Sequence, residues 1–117
     1  MASTRQQMII MLNLILFSLT TSAAGWVGES TIENYYVNGT GNLHICLTSG
    51  DIPVSIQSCI YPTYVFYSKS DSNFTEVFAS VLAANASGST MNFFLSGCRG
   101  GSLGSNKYPH GQGFTAS

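Results

Sequence analysis

The chain has 117 residues, four lysines and arginines, five acidic residues and a formal net charge of −1, with only 8% of its side chains charged. That length allows one domain at most, and so sparse a charge excludes the dense basic footprint on which nucleic-acid binding rests. Neutral polar ligands or a protein partner suit such a surface better.

In chain order, residues 1–24 read as a secretory signal peptide. Arg5 supplies the basic start, Met8 to Leu19 is almost wholly apolar, and Ser22, Ala23 and Ala24 provide the small residues of a cleavage site. Asn13 interrupts the apolar run, which falls short of the roughly 20 residues a helix needs to span a bilayer. Stable membrane insertion is therefore not expected, and residues 25–117 form the expected single, secreted domain. Its charges are Lys69, Arg99 and Lys107 against Glu29, Glu33, Asp51, Asp71 and Glu76, three minus five, or −2. A domain this small buries a low fraction of its surface, and secretion makes disulfides available to offset that.

From Trp26 to Val37 the sequence WVGESTIENYYV is β-prone, with Gly28 as a bend or bulge site. Asn38-Gly39-Thr40-Gly41 is a turn signal. Leu43, Ile45 and Leu47 then alternate with His44, Cys46 and Thr48, which predicts a second strand with His44 on its polar face, exposed or hydrogen-bonded. After a turn over 49–53, Val54, Ile56 and Ile60 alternate with Ser55, Gln57, Cys59 and Tyr61, predicting a third strand that Pro62 ends. Placing Cys46 opposite Cys59 in that hairpin also aligns Ile45 with Ile60. A Cys46–Cys59 disulfide is the expectation. Three cysteines allow three pairings, and this one leaves Cys98 as a free thiol or an intermolecular link.

Thr63 to Ser68 reads as a short fourth strand. Asn73 and Glu76 have the spacing of a capping box, and Phe74, Val77, Phe78, Val81 and Leu82 draw one apolar helical stripe. The opposite face is small (Ala79, Ser80, Ala83, Ala84, Ala86, Ser87). It either admits a neighbouring backbone at an oligomer axis or turns to solvent. Gly88 stands where a left-handed C-cap belongs, and Met91, Phe93 and Leu95 alternate into the next strand. A glycine-rich loop follows, then a last strand that Pro109, Gly111 and Gly113 weaken.

Gly100 to Gly104 matches G-x-S-x-G, yet no helix and no acidic residue follow Ser102, and only His110 lies downstream, so the nucleophile-elbow reading fails. His44, His110 and the cysteines lack metal-ligand spacing, so neither a metal nor another cofactor is expected. The acidic residues form no recognisable glycosidase pair. No enzyme is predicted. The tyrosines are different, because amphipathic rings suit carbohydrate recognition and protein interfaces alike. Tyr35, Tyr36, Tyr64 and Tyr67, aromatics near strand ends, are the candidate contact residues. The sequons at Asn38, Asn73 and Asn85 matter where secreted proteins are glycosylated.

These elements predict a mainly β fold with one α-helix: a small OB-fold-like barrel of five to six strands, its helix between the third and fourth main strands. His44-Ile45-Cys46-Leu47 with Gln57-Ser58-Cys59, and the passage FASVLAANASGSTMNFF from Phe78 to Phe94, carry a resemblance. The chain resembles the pentameric B subunits of AB-type bacterial toxins, those of subtilase cytotoxin, typhoid toxin and type II heat-labile enterotoxin. The resemblance implies a non-enzymatic homo-oligomer, a pentamer, that binds a host glycan or glycoprotein and carries an enzymatic A subunit. No local motif around the family's glycan contacts matches this chain, so none of those residues is carried over. The alternative is a secreted structural or protein-interaction domain with no carbohydrate ligand.

Overall fold

A computed structural model describes residues 24–100 and 107–117. The elements are β1 (Ala24–Trp26), β2 (Ser30–Val37), β3 (Leu43–Leu47), β4 (Tyr64–Tyr67), α1 (Phe74–Ser87), β5 (Thr90–Arg99) and β6 (Tyr108–Ala116). Most of the leader expected over residues 1–24 lies outside the described residues, as does Ser102. Ala24 itself opens β1, paired with Ser96. Among the described residues no helix is long and apolar enough to cross a membrane.

β1 and the start of β2 behave as one bent strand. Trp26 pairs with Phe94 and Ser30 with Met91, while β6 occupies the other edge of β5 at Met91 and Phe94. Between them Gly28 takes a positive φ of 103° and donates its N–H to Asn92 Oδ1 at 2.9 Å. The register shifts by one residue there, as a bulge requires. β2 leaves β5 after Thr31 and pairs with β3 from Ile32 onward, with a second irregularity between Ile32 and Asn34.

The pairings β5–β2–β3–β4–β6–β5 then close a ring. All are antiparallel except β4–β6, which is parallel and rests on the single pair Phe66–His110. Side chains reinforce that thin seam. His110 Nε2 lies 3.0 Å from Asp71 Oδ2, Asn73 Nδ2 donates to the Gln112 carbonyl at 3.2 Å, and the Tyr67 hydroxyl donates to the Gly113 carbonyl at 3.1 Å. The molecule is thus mainly β, a small OB-like barrel, with its helix between the third and fourth main strands.

Alternation fills the interior. Leu43, Ile45, Leu47, Val65, Met91, Phe93 and Leu95 are 0–1% exposed, and α1 adds Val77, Val81 and Ala84. Phe74 and Phe78 pack at the margin, stacked 5.9 Å apart, whereas Leu82 stays exposed. Gly88 ends the helix in the left-handed conformation, with its N–H bonded to the Ala84 carbonyl at 2.8 Å. The capping box does not form. The Asn73 side chain makes no cap bond and is directed instead to β6, its Nδ2 donating to the Gln112 carbonyl.

Two expectations are corrected. Residues 54–60 form no strand, because β2 and β4 already occupy both edges of β3. Val54 and Ile60 are instead exposed, Ile56 is partly buried, and only Ile52, just before that stretch, is fully in the core. With no hairpin there, Cys46 and Cys59 never face each other. Cys59 bonds Cys98, across a sequence separation of 39 with the Cα atoms 5.8 Å apart. Gln57 seats the crossing segment by accepting the Gly97 N–H at 3.0 Å. Cys98 is therefore no free thiol, and Cys46 is the reduced cysteine, buried. Burial first, then the nearby Glu33 and Asp51, push the Cys46 pKa up and keep the thiol protonated.

The last strand runs nine residues despite its proline and glycines. A Cβ at Gly111 would lie within 2.2 Å of the Tyr67 ring. The residue that weakens the strand signal is the one that lets β6 lie against Tyr67.

Candidate functional site

On β3 the inner residues are aliphatic, but the outer residues His44 and Cys46 are buried too. Rings cover His44. Tyr36, opposite it on β2, stacks on the imidazole at 4.4 Å with an interplanar angle of 2°. Phe66, opposite it on β4, approaches edge-on at 5.3 Å, Tyr108 at 4.8 Å and Tyr64 at 6.1 Å. Only 3% of His44 is exposed.

The β2–β3 turn sets the remaining partner. Asn38 Oδ1 accepts from Thr40 N (3.0 Å), Thr40 Oγ1 (2.7 Å) and Asn42 N (3.0 Å). Three donors on that oxygen fix the amide orientation, so the NH2 group faces His44 Nε2 at 3.3 Å. Nε2 must then accept, and the ring proton sits on Nδ1. Burial lowers the His44 pKa, which keeps the ring neutral.

Beside this box lies an open cleft of about 420 Å³ between the turn and the start of β6. Tyr36, Phe66, His44 and Tyr108 supply its rings; Asn38, Thr40, Asn42 and Lys107 supply its polar rim. Tyr36, 41% exposed, forms one lip. Partial burial first, then Tyr108 and Tyr64 nearby, raise its pKa. Tyr61 continues the aromatic surface, its ring 5.6 Å from that of Tyr108. Among the described residues no carboxylate lines the cleft, and no group of three His, Cys, Asp or Glu side chains is placed to hold a metal ion.

The four predicted tyrosines separate. Tyr36 and Tyr64 meet edge-to-face at 5.4 Å on the outer face, and Tyr36 lines the cleft. Tyr35 points the other way and packs edge-on against Phe78 of α1 at 6.4 Å. Tyr67 is inside the barrel with no exposed surface, and burial drives its pKa far above the usual tyrosine value. It has no surface to offer a ligand. Sequence reasoning placed His44 on the polar face of its strand without giving it a binding role, did not choose Phe66, Tyr108 or Lys107 as contacts, and treated Asn38 only as a turn residue and sequon. The signal that finds them is cross-strand register, which brings positions 36, 44 and 66 into one row.

Compared with protein-family models, with curated proteins and with solved structures, the chain matches none.

Proposed function

We propose that this chain is an extracellular, non-enzymatic binding module that takes a saccharide in the outer-face cleft. One observation carries the reading: the rings of Tyr36, Phe66 and Tyr108 line the same cleft as the amides and hydroxyl of Asn38, Asn42 and Thr40. A sugar needs both, an apolar platform for its C–H face and oriented polar groups for its hydroxyls. The position supports it as well. OB-folds bind oligosaccharides and oligonucleotides on the face of their second and third strands and on the loops joining strands one to two and four to five. Here β3, β4, the Asn38–Asn42 turn and Lys107 before β6 occupy those places. Charge favours the sugar, because three cations among residues 25–117 are too few to track a phosphate backbone.

The Cys59–Cys98 disulfide suits an oxidising compartment, hence an extracellular site of action. The resemblance to toxin B subunits extends the proposal to a host glycan or glycoprotein as ligand, a five-membered ring and an enzymatic A subunit as passenger. A protein-interaction domain is the second reading, favoured by the exposure of Val54 (73%) and Ile60 (63%) on one crossing segment. A glycan array probed with the purified protein tests the first. Selective retention of some glycans by the wild type, abolished in a folded Tyr36→Ala variant, is expected. A folded wild type that retains none sinks it. Light scattering in parallel separates a pentamer from a monomer.

A further inference from the structure

Among the described residues one buried side-chain polar atom lacks any hydrogen-bond partner: Nδ1 of His44. An orphan donor of this kind is destabilising, and a phenylalanine in the same aromatic box would avoid that cost. The fold nevertheless fixes this nitrogen as a donor. Asn38, its oxygen committed to three donors, turns its NH2 on Nε2 and leaves the proton to Nδ1. A doubly protonated ring would set two donors against each other. The rings of Tyr36, Tyr64, Phe66 and Tyr108 enclose the imidazole and none accepts from it.

We infer that His44 is the specificity-determining donor of this cleft, presenting Nδ1–H to an acceptor oxygen of a bound saccharide. The oxygen is a ring oxygen, a hydroxyl or a carboxylate. The inference rests on the saccharide reading above and adds to it a named atom and a requirement on the ligand. In the free molecule Tyr36 lies stacked on His44 and Tyr108 meets the imidazole edge-to-face. Tyr36 is the partly exposed member. A sugar that draws the Tyr36 ring off the imidazole face and onto its own C–H face opens the box through which an acceptor oxygen reaches the Nδ1 edge, so stacking and hydrogen bonding are gained together. A ligand with a ring face but no acceptor at that depth gains only the first.

The test uses the full-length chain and three variants. His44→Phe keeps a ring and removes the donor. His44→Asn keeps a donor at about the Nδ1 position, and His44→Gln keeps only a group at about the Nε2 position. Nitrogen-15 spectra of the labelled wild type should show the Nδ1–H tautomer for His44. On the array, His44→Phe should lose at least about tenfold in affinity for the glycans the wild type retains, with an unchanged or higher Tm. His44→Asn should bind better than His44→Gln, a contrast that still decides the matter where His44→Phe does not fold. An Nε2–H tautomer overturns the inference whatever the array shows. Unchanged binding by folded His44→Phe, or by His44→Gln, overturns it while leaving the saccharide reading intact. A wild type that retains no glycan overturns both.

Discussion

The two faces of β3 are buried almost equally and by opposite means. Inward, Leu43, Ile45 and Leu47 lie 0–1% exposed among other aliphatic and aromatic side chains. Each such side chain contributes about 1.5–3 kcal/mol by leaving water, with no polar atom to satisfy. Outward, His44 and Cys46 are 3% and 9% exposed, beneath tyrosine and phenylalanine rings and beside Glu33. The inner face has every contact it needs. The outer face holds a histidine with one partnered nitrogen, a reduced thiol and a lip that is partly exposed. Burial alone therefore does not separate core from site; unmet hydrogen-bonding capacity does.

The largest effects belong to the inner face. Tyr67→Ala should cost about 3–5 kcal/mol, and Gly111→Ala should also be strongly destabilising because its Cβ has no room beside that ring. Tyr36→Ala, at the partly exposed lip of the outer face, should cost less than about 1 kcal/mol while abolishing ligand capture. Urea unfolding followed by tryptophan fluorescence measures all three. Equal losses for Tyr36 and Tyr67 would break the distinction between the faces.

The cysteines give the next effect in size. Cys98→Ser opens a loop of sequence separation 39, for which loop-closure entropy predicts a loss of up to about 4 kcal/mol. Cys46→Ser removes only a weak thiol contact to Glu33 at 3.8 Å and should cost about 1 kcal/mol or less. Non-reducing peptide mapping of the wild type should recover Cys59 linked to Cys98. A Cys46–Cys59 peptide would restore the hairpin pairing and remove the reduced thiol from the outer face.

What the sequence conveyed follows the same division. Alternation and helical spacing depend on local residues, so β3, β5, the helix with its Gly88 cap and the bend at Gly28 were all legible. Residues 54–60 misled because apolar residues at alternate positions also serve a crossing segment that buries Ile52 and part of Ile56. Whether such a run becomes a strand depends on a free sheet edge, which is decided elsewhere in the chain. The disulfide error followed from that hairpin. The cleft was half legible: Tyr36 and Tyr64 were singled out as aromatics near strand ends, but Tyr67 shares that description and points inward. Phe66, Tyr108 and His44 converge only through the β3–β4 and β4–β6 pairings, and the last of these joins residues with no local signal for each other.

The smallest predicted effect is the most direct probe of the outer face, because it asks whether the aromatic box keeps its histidine neutral. His44 has its pKa lowered from 6.5 by burial, so below that pH the unfolded chain takes up a proton that the folded ring refuses. The stability this neutral ring contributes is complete above about pH 6.5 and declines as the pH falls toward the folded pKa. At the other end, Cys46 and Tyr36 have pKa values raised from 9.0 and 10.0, so the unfolded chain ionises first and stability falls above about pH 9. Tm should be flat between these limits. Below pH 6.5 the Tm of the wild type should fall more than that of His44→Phe. The His110–Asp71 contact is common to both proteins and cancels in that difference. Parallel acid limbs would mean that His44 charges freely in the folded state. The box would then be open to water, and the outer face would be ordinary surface rather than a closed site waiting on its ligand.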